Sequence, residues 1–223
     1  TKKNYTELYI RWFQFGVFCP TFRTHGTRKH NEVWSYGEEA EKILVKYLRL
    51  RYRLMPYIYS LAYQVTQTGA PFMRALWMDF SEEECGRIED EFMFGPALLV
   101  APVVEQGAVS REVYLPGGTD WYNFWTNEKL RGGQTVMADA PVDTLPLYVK
   151  TGSIIPMGEV LLNSKEEQEE IEIRVYPGKQ VSFLLYSSRY LDFHPFSISA
   201  FAGVVSFMLT PSNCMLPFAN SSA

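Results

Sequence analysis

Cysteine and histidine are both scarce in this sequence, at three each in 223 residues. The cysteines (Cys19, Cys85, Cys214) form no CxxC pair. That excludes a readable disulfide framework or zinc ribbon and leaves reduced thiols as the simplest expectation. The histidines (His25, His30, His194) have no His or carboxylate partner at ligand spacing, so neither a metal nor a cofactor is predicted. GxSxG, the P-loop and GxGxxG are all missing. The net charge of −4 supplies no basic excess for a nucleic-acid binder. Long apolar runs are missing too. The apolar-leaning stretch 196–209 has 14 residues, fewer than the about 20 that a helix needs to cross a bilayer, so no membrane partner is predicted. The first residues, TKKNYTELYIRW, hold no signal-peptide core, and on that ground alone a cytoplasmic setting is favoured. The abrupt start without methionine suggests a piece of something longer.

What is present is apolar and aromatic side chains, 47% and 15% of the chain, enough for a buried core. Four stretches follow one another. The first ends near Glu38 and reads as strand and loop. The second, residues 39–68, is predicted helical, because Leu44, Tyr47, Leu48, Met55, Ile58 and Leu61 recur at spacings of three, four and seven. Lys42, Lys46, Arg49 and Arg53 fall on its other faces and read as solvated charge. Pro56 should kink or split this helix near Met55, and Gly69 followed by Pro71 should end it. The third stretch, 70–159, breaks into short strand-like runs (PALLVAPVV, REVYLPGG, DWYNFW, LPLYVKTGSIIP) separated by turn residues, which predicts an antiparallel sandwich or barrel. The fourth opens on KEEQEEIEIRVYP, gives one strand pair (IEIRVYP with SFLLY), and then loses its pattern. Residues 195–223 carry no charge and show no strand alternation on this reading, so they are expected to lie outside the fold.

One segment stands out chemically. In RWFQFGVFCPTFRTHG, the aromatics Phe13, Phe15 and Phe18 precede Arg23, His25 and a glycine. Residues two apart on a strand share a face, so Arg23 and His25 are predicted to offer several donors to one hydroxyl-rich ligand. Acidic pairs are less promising. Glu82, Glu83, Glu84, Glu89, Asp90 and Glu91 read as solvated turn charges, and Asp79 as a cap or loop hydrogen-bonder. Taken alone, the residues describe half of a polar pocket and no pair of groups to drive chemistry.

That segment, together with EVWSYGEE, LRLRYRLMPYIYSLAY, FMFGPALLVAP, REVYLPGGTDWYNFW and GSIIPMG, closely resembles glycoside hydrolase family 31, over about residues 7–186. This family contains α-glucosidases and α-xylosidases, and the bacterial α-xylosidase branch is nearest in general character. The resemblance implies an α/β plus all-β chain: residues 1–70 as the end of a (β/α)8 TIM barrel, 71–158 as a proximal antiparallel β-sandwich, 159–190 as the start of a distal β domain, and 191–223 as an apolar tail not matching the family. The aromatic run would then be a late barrel strand delivering Arg23 and His25 to the catalytic face. His25 matches the histidine that hydrogen-bonds the sugar, and Arg23 its neighbouring support. Substrates would be α-linked oligosaccharides or glycosides. The family's two aspartates, nucleophile and acid/base of a retaining mechanism, belong to motifs that precede RWFQFG, so the isolated chain is expected to be inactive. After SFLLY the sequence departs from the family, so the distal domain is expected not to complete; a barrel without its earlier strands cannot close, so residues 1–70 are expected to expose an apolar face. Two other readings stay open: a non-catalytic sugar-binding β-sandwich module stacking sugars on Trp121, Tyr122 and Trp125, and an interaction protein anchored by its tail.

Overall fold

The computed structural model describes residues 2–27, 30–161, 170–178, 181–186, 196–201 and 204–209. It opens with a helix, α1 (Lys2–Gly16), and not with a strand. The expectation of a barrel strand through RWFQFG is therefore wrong, and no strand occurs among the described residues of 1–70. The reason lies just upstream of the quoted motif. Tyr5, Tyr9, Phe13 and Val17 recur every four residues, and Ile10, Phe13 and Val17 are buried as one helical stripe, whereas Trp12 is 63% exposed. The period-two look of Phe13 and Phe15 is accidental to that stripe.

The next two helices fall as predicted. α2 (Glu38–Arg53) and α3 (Met55–Thr68) are split at Leu54, with Pro56 in the first turn of α3, where its missing N–H removes no helical bond. α2 carries Glu38, Glu39 and Glu41 in its first turn and Arg51 and Arg53 in its last, which complements the helix dipole. α3 stops at Gly69, whose φ of 73° lets its N–H bond to Val65 O at 2.8 Å. Met55 is exposed rather than buried, because the split restarts the helical register around it, and Tyr57 takes the core position.

Every strand pairing is antiparallel. Strands β1 (Met73–Ala75), β2 (Phe92–Phe94) and β3 (Leu98–Val100) run into β8 (Leu147–Lys150), then β5 (Asp120–Asn123) and β6 (Lys129–Arg131), as one six-stranded sheet. A two-stranded sheet, β4 (Ser110–Leu115) with β7 (Gln134–Asp139), is separate from it in hydrogen bonding. Side-chain alternation assigns the faces. Phe94, Leu98, Leu147 and Val149 share one apolar cluster with all three helices. Met93, Leu99, Tyr148 and Trp121 share a second with Val113 and Leu115 of β4 and Ala138 of β7. The predicted antiparallel β structure is thus present, with the β4–β7 pair packed on one face of the six-stranded sheet and the helices on the other.

The later strands differ from expectation. β10 (Glu172–Tyr176) pairs with β9 (Ser153–Met157), and β11 (Val181–Leu185) pairs with β12 (Phe196–Phe201), so IEIRVYP and SFLLY are not partners. β12 in turn pairs with β13 (Val204–Leu209). The segment expected to be patternless holds FSISAF, in which apolar residues and serine alternate, a period-two signal that the lack of charge obscures. The rest of the 191–223 stretch lies outside the described residues. No described helix is long and apolar enough to cross a membrane.

Two charged side chains tie the layers together. Arg11 of α1 is only 7% exposed. Its guanidinium donates to Ala140 O at 2.7 Å, Ala108 O at 3.1 Å, and Pro141 O and Thr144 O at 3.2 Å, joining the helix to two β-layer loops. Gln14 adds a bond to Val142 O at 2.8 Å, and Glu7 accepts from Gly107 N at 2.7 Å. Positions 7, 11 and 14 share one helix face. Glu91, expected to be a solvated turn charge, is 6% exposed. It shares the strand parity of Met93, which points into the second cluster. Its Oε1 accepts from Tyr114 N at 2.9 Å and lies 3.5 Å from Arg111, while its Oε2 is buried without a hydrogen-bond partner. Burial drives its pKa up to about 7, against the opposing pull of the Tyr114 N–H and Arg111.

A raised carboxyl pKa means the folded state holds its proton more tightly than the unfolded one. The stability this contributes is fully present below about pH 4.5 and is lost as pH rises through about 7. Urea midpoints measured from pH 5 to 8 should therefore fall for the wild type and fall less for Glu91→Gln, a difference of about 1–3 kcal/mol at pH 8. Identical pH slopes for the two proteins would contradict this.

Candidate functional site

Beyond Gly16, α1 unwinds into a tight turn, with Phe18 N bonding to Phe15 O and Cys19 N to Gly16 O, both at 3.0 Å. Pro20 then prevents the helix from resuming. Residues 22–26 belong to no helix or strand. Phe22 closes edge-on against Phe13 at 4.8 Å between centroids and fills the space beside Gly16, where a Cβ would meet the Phe22 ring at 2.9 Å. Tyr9 Oη donates to Asn31 O at 2.6 Å, which ties the far side of the loop back to α1.

Arg23 and His25 come together as predicted, although on a loop and not a strand. Arg23 Nη2 lies 2.7 Å from His25 Nδ1, and both residues are exposed. A guanidinium only donates, so Nδ1 accepts in this contact and Nε2 carries the ring proton of the neutral imidazole. The pair thus presents an Nε2–H and the remaining guanidinium N–H groups. They sit at a cleft of about 550 Å³ whose walls include Tyr5, Trp12, Phe15 and Phe22. Aromatic walls with a few converging donors suit a ligand with apolar C–H faces and hydroxyl edges. No Asp or Glu occurs among the described residues lining this cleft.

The stacking candidates fare differently. Trp121 is fully buried in the second cluster, and its Nε1 donates to Pro116 O at 2.9 Å. Trp125 is half-buried with Nε1 bonded to Leu145 O at 2.8 Å, and Tyr122 packs partly buried against Tyr176. They form part of the core rather than an exposed platform. Asp79, read as a cap or loop hydrogen-bonder, forms an ion pair with Arg74 at 3.2 Å. Leu8 and Trp12 lie exposed on α1, in keeping with the expected apolar face. Reading the sequence missed Arg51, which sits on α2 in phase with buried Leu44, Tyr47 and Leu54. An arginine at helical spacing within an apolar stripe was the available signal. Its guanidinium donates to Val17 O at 2.5 Å, Cys19 O at 2.6 Å and Pro20 O at 3.1 Å.

Comparison with known proteins decides the family. Residues 1–61 match the glycosyl hydrolases family 31 TIM-barrel domain, and residues 69–155 match the glycosyl hydrolase family 31 C-terminal domain. The chain belongs to glycosyl hydrolase family 31. It is 43% identical over 186 residues to an α-xylosidase of Saccharolobus solfataricus, covering 82% of this chain and 25% of that protein. It is 38% identical over 186 residues to α-glucosidase 2 of Bacillus thermoamyloliquefaciens, covering 81% and 23%. Among solved structures, a family 31 dextranase of Flavobacterium johnsoniae complexed with isomaltotriose superposes with a TM-score of 0.82 at 40% identity, over 89% of this chain and 26% of that one. A family 31 α-xylosidase from Xanthomonas citri gives 0.81 at 38% identity, over 88% and 23%. The chain therefore spans about a quarter of the length of the family 31 relatives it matches.

Proposed function

We propose that this chain is the C-terminal part of a retaining α-glycosidase acting on α-linked xylosides or glucosides, and that Arg23 and His25 hold hydroxyls of the bound sugar. The Arg23–His25 contact at the mouth of an aromatic-walled cleft carries this reading. The similarity to α-xylosidases and α-glucosidases supports the reaction class. Arg23 fixes the imidazole tautomer so that Nε2–H faces a hydroxyl oxygen as donor, while the aromatic side chains supply dispersion to the sugar's C–H faces. A retaining mechanism needs two carboxyl groups about 5–5.5 Å apart. The cleft contributes binding groups and no such pair, so the chain by itself is expected to bind a sugar without hydrolysing it.

Calorimetric titration with xylose and with glucose tests this. The wild type should bind one of them, and His25→Ala should weaken that binding by about tenfold or more, the loss of one to two hydrogen bonds. Equal affinity in wild type and His25→Ala would remove His25 from the site. Aspartate-dependent turnover of a nitrophenyl α-glycoside by the pure chain would overturn the non-hydrolytic part.

A further inference from the structure

We infer that Arg51 is a positioning residue for the sugar site, acting on His25 through the turn that joins α1 to the Arg23–His25 loop. This rests on the reading of that cleft as a sugar site. One guanidinium on α2 holds three carbonyls of a single turn, those of Val17, Cys19 and Pro20. These carbonyls belong to the turn that follows Gly16, the last residue of α1, close to the negative end of the helix dipole, where a cation is a fitting partner. The Arg51 guanidinium also lies 5.9 Å from the Phe22 ring centroid. Phe22 is wedged between Phe13 and Gly16, and Arg23 follows it directly. The path from Arg51 to His25 is therefore short and tightly packed: guanidinium, turn carbonyls, Phe22, Arg23, imidazole.

The planar fork is what the role demands. Three carbonyls facing one side chain from different angles match the spread N–H groups of arginine, and a lysine ammonium reaches fewer of them from a single point. Burial pulls the Arg51 pKa down, yet a guanidinium stays charged at any working pH, so the clamp does not open by titration. Cys19, beside it, is pushed the other way, its thiol raised by burial, and remains neutral at neutral pH.

The test uses the whole chain with three variants: Arg51→Lys, Arg51→Met, and Val113→Ala in the second cluster, remote from the turn, as a control for lost stability. Two readouts are taken: the imidazole ¹H and ¹³C resonances of His25, assigned by His25→Gln, and titration with xylose and glucose. In both Arg51 variants the His25 resonances are expected to move and sugar affinity to fall about tenfold, with Arg51→Lys the milder, whereas Val113→Ala lowers the melting temperature and leaves both readouts in place. Unmoved His25 resonances and unchanged affinity in Arg51→Met, with a melting temperature lowered as in Val113→Ala, would reduce Arg51 to a structural tie and overturn the inference. If the wild type binds neither sugar, the sugar reading fails, and the His25 resonances of the ligand-free proteins still decide whether Arg51 positions the ring. Should Arg51→Met fail to fold, the same comparison is made on Arg51→Lys.

Discussion

Arg11→Met is expected to lower the unfolding free energy by about 3–4 kcal/mol. The estimate comes from what the substitution leaves behind. Methionine matches the aliphatic stem, so little packing is lost, but the buried carbonyl of Ala140 and the half-buried carbonyls of Ala108 and Thr144 lose their shared charged donor, while Pro141 O keeps the Thr144 N–H. Each unsatisfied buried acceptor costs on the order of 1 kcal/mol, and bonds to a charged donor cost more to remove. Burial pulls the Arg11 pKa down and nearby Glu7 pulls it back up, so the charge persists and is held mostly by carbonyl dipoles. Arg11→Lys should recover part of the loss, since one ammonium cannot serve two loops at once. Glu39→Ala, which breaks only an exposed i,i+3 pair with Lys42, should change nothing measurable. Urea unfolding of the three variants checks the order. An Arg11→Met chain as stable as the wild type would show that the clasp between α1 and the β layer is dispensable.

Gly95→Ala should be as damaging, by a different route. Gly95 has φ of 63°, and a Cβ there would lie 2.4 Å from Tyr57 Oη and 2.7 Å from both Leu61 methyl carbons. Tyr57 is fully buried and donates to Phe94 O at 3.0 Å, so it has little freedom to withdraw. Left-handed strain of about 1 kcal/mol then adds to overpacking of about 1–3 kcal/mol. Gly107 separates the two contributions: its φ is 73° with no neighbour within 4 Å, so Gly107→Ala carries the strain alone. Thermal melts should place Gly95→Ala well below Gly107→Ala. Equal losses would mean that α3 shifts away from the β2–β3 turn without cost.

Much of this was legible in the sequence, and the failures have physical reasons. The split of α2 from α3 followed from Pro56, and the antiparallel β structure from short runs between glycines and prolines. Arg23 and His25 were paired on their spacing of two, and they do meet, on a loop rather than on the strand that the spacing argument assumed. α1 was misread because its helical stripe begins upstream of the motif that drew the eye. Glu91 was misplaced because five acidic neighbours disguised a residue whose parity with Met93 points inward. Trp121 was offered as a sugar platform because an aromatic residue near turns looks alike exposed or buried, and only its pairing across β5 and β8 decides. Arg51 left one signal, its place within an apolar helical stripe, but the partners of Arg11 and Arg51 could not be read, because they are backbone carbonyls, which leave no mark in side-chain patterns. The β12–β13 pair was hidden by a segment without charge, in which serine alone supplies the polar alternation.

The central claim is that the loop after α1 presents a sugar-binding pair. Backbone amide and aromatic chemical shifts, recorded while methyl α-xyloside or methyl α-glucoside is added to the whole chain, test it most directly. The account predicts perturbations concentrated on residues 22–27 and on the rings of Tyr5, Trp12 and Phe15, reduced in His25→Ala. Perturbations centred on Trp125 and Tyr122, or none at concentrations up to about 100 mM, roughly a hundredfold above a Kd of about 1 mM, would contradict it.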